Sequence, residues 1–239
     1  VLGVFQRLVS AKATDHHGFQ ILQTLYEHVP LDSMAQFTPT IWNILLTRLQ
    51  TSPTTKYIQG FIGFCSLLAV QHSPSVLKDS LNQVQPGIFD MAVKQVIGGN
   101  LTKVAGDRER RLACLAACRI LCECPDYANP QAVEVWQKLL GGTMELLERG
   151  DGDVGEHDDD VDEYNGYTAS FAQLVNSGAT KKDNTPDLNA VKATLAKSLA
   201  ALSQSHPGLV GPMVQQSLPD PAKQQALAGY CTAVGVHLQ

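Results

Sequence analysis

A helix-ending proline recurs along this chain, and it limits what the chain can fold into. Glu27-His28-Val29-Pro30, Gln71-His72-Ser73-Pro74, Glu123-Cys124-Pro125 and Ser205-His206-Pro207 each follow ten or more residues of helical hydrophobic spacing. Proline lacks the backbone N–H that a helix interior needs and pushes the preceding residue out of the α region. The stops fall about 45 to 50 residues apart, except for the last gap, which is nearly two such steps. Helices cut at this interval stack side by side and do not fuse into long rods.

The apolar residues between the stops have helical spacing. Residues 38–50 carry a stripe of Ile41, Leu45 and Leu49 with Trp42 and Leu46 beside it, a face wide enough to pack on two neighbours. Residues 131–149 carry Val133, Trp136, Leu140 and Leu147 with Leu139 flanking, and residues 187–205 carry Leu188, Val191, Leu195, Leu199 and Leu202. No comparable run alternates with period two, so the predicted class is all-α. A period of this size with two helices per unit is the signature of a HEAT or armadillo superhelical solenoid of antiparallel helix pairs. The predicted pairs are 18–29 with 38–50, 54–72 with 87–104, and 107–124 with 131–149. A short extra helix is expected in 75–84, and a last group at 187–205, 209–218 and 222–237.

Composition narrows the function classes. With 239 residues, 44% of them hydrophobic and 17% charged, the chain can bury a core throughout. A net charge of −5 argues against a general nucleic-acid binder, which needs a basic face for phosphates. The longest apolar stretch, 58–70, contains Gln59, Gly60 and Ser66 and is too short to span a bilayer. Val1, Leu2, Phe5, Leu8 and Val9 share a helical face from the first residue, with neither a charged leader nor a cleavage site. That pattern predicts that the chain is cut from something longer and begins inside a helix.

One compositional break interrupts the array. Asp151, Asp153, Glu156, Asp158, Asp159, Asp160, Asp162 and Glu163 crowd together with Gly150, Gly152 and Gly155, so 150–163 is expected to be a solvated acidic loop inserted into a repeat position. Tyr167, Phe171 and Leu174 then resume helical spacing, and a polar linker is expected over 176–187. The opening FQRLVSAKATDHHGFQILQTLYEH, the run RLQTSPTTKYIQGFIGF, Glu123-Cys124-Pro125, the acidic loop leading into GYTASFAQL, and the ending HPGLVGPMVQQSL together resemble the C-terminal part of the karyopherin-beta family exportins that return importin-alpha to the cytoplasm. The resemblance covers essentially the whole chain, in order, and implies that residues 1–239 are the C-terminal HEAT-repeat array of a longer chain.

That resemblance implies a receptor shuttling between nucleus and cytoplasm. It would wrap importin-alpha together with Ran in its GTP form, pass nuclear pore proteins, and release its cargo after GTP hydrolysis. The principal Ran-binding region of the family lies toward the N-terminus, outside this stretch. No catalytic residue and no cofactor is implied, because the GTP chemistry belongs to Ran. A solenoid changes curvature by small rotations summed along its repeats, so the second helix of each pair is the expected partner-facing one. On it lie Arg48, Lys94, Lys103, Lys138 and Glu145. In the acidic loop, Asp158, Asp159, Asp160, Asp162 and Glu163 are candidates for contact with a basic surface, against the plainer reading of a solvated insertion. The alternative function is a HEAT-type structural scaffold or adaptor with no Ran-dependent switch.

Other chemistry is weakly signalled. Asp151, Asp153, Asp159 and Asp162 can be laid on a calcium loop, but Glu156 stands where the sharp turn wants glycine and the last ligand is not glutamate. Cys114, Cys118 and Cys122 are spaced i, i+4, i+8 with Cys124 following, which suits close helix packing better than a zinc knuckle. His16 and His17 are adjacent and do not share a helix face, while His28, His72 and His206 stand at expected helix ends, where a partial positive charge suits the dipole. Asn100-Leu101-Thr102 fits a glycosylation sequon with no secretory signal behind it. The nucleophile-elbow, zincin and P-loop patterns do not occur in the sequence.

Overall fold

A computed structural model describes residues 2–150 and 183–238. The acidic run, the Tyr167-Phe171-Leu174 stripe and the polar stretch up to residue 182 lie outside the described residues. The principal helices are α1 (Leu2–Ser10), α2 (Asp15–His28), α4 (Thr38–Thr51), α5 (Thr55–Gln71), α6 (Pro74–Asn82), α9 (Asp107–Glu123), α10 (Val133–Glu148), α11 (Leu188–Ser205), α12 (Val210–Ser217) and α13 (Pro221–Ala233). Short turns α3 (Leu31–Met34), α7 (Ile88–Met91) and α8 (Gly98–Asn100) complete the α elements, and no strand occurs among the described residues.

The helices begin and end where the local chemistry dictates. Thr54, Ser73, Asp187 and Asp220 each accept a backbone N–H of the first turn that follows, which satisfies one of the four donors left open at a helix start. Pro74 both closes α5 and opens α6, since a missing N–H costs nothing at a first position. His28 is the last residue of α2, while His72 and His206 cap α5 and α11.

Two layers result. Helices α2, α5, α9 and α11 lie in a row, each against the next, while α10 packs between the 88–103 segment and α12 in the facing row. Aromatic side chains fill the seam at the start. Trp42 of α4 stands over Phe61 and Phe64 of α5, Tyr26 of α2 meets Phe64 edge-on, and Phe19 lies 5.1 Å from the Tyr57 ring. Helices α5 and α9 pack against each other, and both carry buried small residues, Cys65, Ser66 and Ala69 on α5 and Ala113, Ala116, Ala117 and Cys118 on α9. Burial pushes the Cys114 thiol up to about 12, so it packs as a small apolar group.

The repeat period reappears in the bonds that tie segments one repeat length apart. Gln59 donates to the Lys103 carbonyl, Lys138 to that of Lys94, Arg149 to that of Val104, and Arg119 to those of Ala69 and Val70. Each spans 44 to 50 residues of sequence. Across the step that contains residues 151–182, the bonds Lys223 to Glu145 and Gln137 to Gln216 span 78 and 79, while Lys192 to Glu148 spans 44.

One expected helix differs. Residues 87–104 are not a continuous α-helix but α7, a π-helical stretch Ala92–Ile97, α8 and a 3-10 turn Leu101–Lys103. Gly98 explains part of this: a Cβ there would sit 2.8 Å from Lys138 Cβ and 3.0 Å from the Val93 carbonyl oxygen, so α10 approaches closer than a regular side-chain-bearing helix permits.

Candidate partner interface

The step between the second and third repeats holds a polar cleft of about 370 Å³. One wall comes from α6 and α7, with Lys78, Asn82 and Asp90, and continues to Lys94 in the π-helical stretch; the other comes from the next repeat, with Asp126, Tyr127, Asn129 and Gln131. Two contacts cross it. Lys78 pairs with Asp126, and the Tyr127 hydroxyl donates to Asp90 at 2.8 Å. The other Asp90 oxygen accepts from Lys94 at 2.9 Å.

The charges are mutually tuned. Burial alone would raise the Asp90 carboxyl, but hydrogen bonds from Lys94 and Tyr127 together outweigh it and hold the group below its ordinary range. Burial pushes the Tyr127 hydroxyl up, and the Asp90 charge adds to the effect. The hydrogen bond to Asp126 keeps Lys78 protonated. Both Asp90 and Asp126 have roughly half their side-chain surface in solvent. The cleft thus offers two cations and two anions at fixed spacing, suited to a polar protein surface and not to a single strongly charged ligand.

The sequence-derived candidates separate into groups. Lys94 and Lys138 come together: the Lys138 ammonium donates to the Lys94 carbonyl at 3.1 Å and pairs with Glu134 at 2.7 Å. Glu145 lies two turns further along α10, exposed, and pairs with Lys223 of α13 at 3.3 Å. Lys103 is exposed at the far end of the 88–103 segment. Arg48 differs from its expected place on the partner-facing surface, because only 7% of it is exposed. Its Nη2 lies 3.9 Å from Asp15, its guanidinium sits 5.1 Å from the centre of the Tyr57 ring, and Nη1 donates to Ser52. Burial raises the Asp15 carboxyl, with Arg48 only partly opposing. Asp158, Asp159, Asp160, Asp162 and Glu163 lie outside the described residues.

Lys78, Asp90, Asp126 and Tyr127 were absent from the sequence-derived candidates. No local motif marks them, but Lys78 and Asp126 stand 48 residues apart, one repeat period, and that offset was the available signal.

Comparisons with known proteins agree along the whole length. Residues 1–230 match the family described as CAS/CSE protein, C-terminus. Exportin-2 of Danio rerio is 36% identical over 244 residues, which is 100% of this chain and 25% of the relative. Exportin-2 of Homo sapiens is 35% identical over 242 residues with the same coverage. The chain therefore spans about a quarter of the length of the curated relatives it matches. Among solved structures, the exportin Cse1 in its cargo-free, cytoplasmic state superposes with a TM-score of 0.76 at 20% identity, over 97% of this chain and 23% of that one, which shows the fold as a HEAT-repeat solenoid.

Proposed function

Because the chain belongs to the CAS/CSE protein family, matching its C-terminal region, we propose that it forms the C-terminal arch of a nuclear export receptor that binds importin-alpha together with Ran-GTP in the nucleus and returns it to the cytoplasm. The observation that carries this reading is the end-to-end similarity to Exportin-2 at about 35% identity, on a chain whose fold is that of an exportin solenoid. Family membership favours a transport receptor over an enzyme.

In this reading the parent protein shuttles between the two compartments and meets nuclear pore proteins on the way. Lys94, Lys103, Lys138 and Glu145, with the cleft residues Lys78, Asp90 and Asp126, are its cargo-facing contacts, and the acidic run from Asp158 to Glu163 steers basic partner surfaces. Cooperative loading follows if cargo and Ran each favour the curvature that the other prefers. The test is a pull-down from nuclear extract with the longer parent chain, with and without Ran carrying non-hydrolysable GTP. Importin-alpha is expected only in the presence of Ran-GTP, and capture independent of the nucleotide would point to a static scaffold instead.

A further inference from the structure

We propose that residues 92–103 are a hinge of the solenoid, latched by side chains of neighbouring helices, and that its setting controls the width of the cleft between Lys78 and Asp126. Within twelve residues the chain winds as a π-helix, one α turn and a 3-10 turn. The Gly98 N–H reaches back five residues to the Val93 carbonyl, one more than an α-helix allows. Such changes of winding inside a helix mark hinges and functional sites.

The carbonyls of this stretch are held from outside. Lys138 of α10 donates to Lys94, Gln59 of α5 to Lys103 at 2.6 Å, and Arg149, just past α10, to Thr102 and to Val104 at 3.2 Å. At helix starts a local side chain caps the N–H groups, as at Thr54 and Ser73, and at the end of α5 the Arg119 guanidinium holds the Ala69 and Val70 carbonyls. Here three long side chains hold the carbonyls, Gln59 from the other helix of the same pair and Lys138 and Arg149 from the next repeat, and each can let go without unfolding α5 or α10. Lys138 is also the one whose side chain passes directly over Gly98, where a Cβ would sit 2.8 Å from the Lys138 Cβ.

Motion here has a defined consequence. Asp90 and Lys94, at the start of the segment, line one wall of the cleft, while Asp126 and Tyr127 on the other wall belong to the next repeat. In the facing layer α5 and α9 are regular helices packed against each other, and they provide the pivot. Rotation about the segment therefore stretches or closes the Lys78–Asp126 and Tyr127–Asp90 contacts together.

What the motion serves rests on the transport reading; that the segment moves does not. The decisive experiment is hydrogen exchange on the full chain without any partner, comparing wild type, Lys138→Met, Gly98→Ala and Lys138→Arg. Residues 92–104 should exchange about tenfold faster in the Met and Ala variants, with 55–71 and 107–123 unchanged and the Arg variant near wild type. Spin labels at the exposed positions Asp79 and Gln131, in a Cys122→Ser background, should show a broader distance distribution in the same two variants. Equal acceleration throughout α5 and α9, or no acceleration at 92–104, would overturn the hinge. A failure of Ran-dependent capture would leave this result standing.

Discussion

Gly18 and Gly60 set how closely the first helices of the array approach. A Cβ on Gly18 would lie 2.3 Å from the Val9 Cγ2 and 3.2 Å from the Val9 backbone nitrogen; one on Gly60 would lie 2.3 Å from the Phe19 ring. Val9 is fully buried and Phe19 nearly so, its ring held against Tyr57, so neither neighbour has room to yield. Alanine gains up to about 1 kcal/mol in helix propensity, but overpacking costs about 1–3 kcal/mol. Gly18→Ala and Gly60→Ala are expected to lower the urea midpoint, and an unchanged or raised midpoint would show that the helices can part freely. At the other end, hydrogen bonds from Tyr230 and then from Lys192 hold the Glu148 carboxyl below its usual range. A depressed folded pKa gives stability that is present above pH 4.5 and lost as pH falls through the lowered value. Glu148 is nearly half exposed, so after screening the effect is at most about 1 kcal/mol. Glu148→Gln should flatten the stability profile of the α10–α11–α13 corner in acid, read from amide exchange of α13 against pH. Arg48 shows what the sequence held and concealed at this scale: it stands seven residues after Ile41, on the core stripe of its helix, so its burial was legible, whereas its partner Asp15 on another helix was not.

At the scale of elements, boundaries were legible because proline and capping side chains act on the few residues beside them. The ends predicted near Pro30, Pro74, Pro125 and Pro207 lie within one or two residues of those observed. The broken winding of 88–103 was not legible, because its cause is distant in sequence: Lys138 and Arg149 reach it from one repeat away. The cleft escaped for the same reason, as its two walls belong to successive repeats. A similar long-range cap holds the end of α5. Arg119 Nη1 donates to the Ala69 and Val70 carbonyls at 2.9 and 2.7 Å, while Nε and Nη2 grip Glu123 in a fork. The last carbonyls of a helix have no partner within it, and a charged donor there is worth about 1.5–3 kcal/mol. Arg119→Met is expected to cost about that much and to speed exchange in the last turn of α5 before the rest of the helix. Arg119→Lys, which keeps the charge but not the fork, should recover only part of it. If α5 frays no faster in the Met variant, the cap is not what holds it.

For the whole molecule, charge is distributed more unevenly than the net value suggests. Eight of the 23 acidic residues fall between Asp151 and Glu163, so the remainder carries 15 acids against 18 lysines and arginines, a balance of +3. The described surface carries both signs in close pairs, such as Lys78 with Asp126 and Lys223 with Glu145, while the excess negative charge of the sequence is concentrated in the run from Asp151 to Glu163. Paired surface charges contribute little to long-range attraction because their fields cancel within a Debye length of about 8 Å at physiological salt. Charge of one sign concentrated in a short run accelerates encounter with a basic partner more than it tightens the final complex. Replacing Asp158, Asp159 and Asp160 with asparagine should therefore slow association of the parent protein with its cargo about tenfold at low salt and little at high salt, while dissociation stays the same. The measurement is a series of association and dissociation rates across salt concentration, with Ran-GTP held saturating. An association rate and salt slope equal to wild type would remove the acidic run from the proposed binding mechanism and leave the paired charges of the cleft as its remaining candidates.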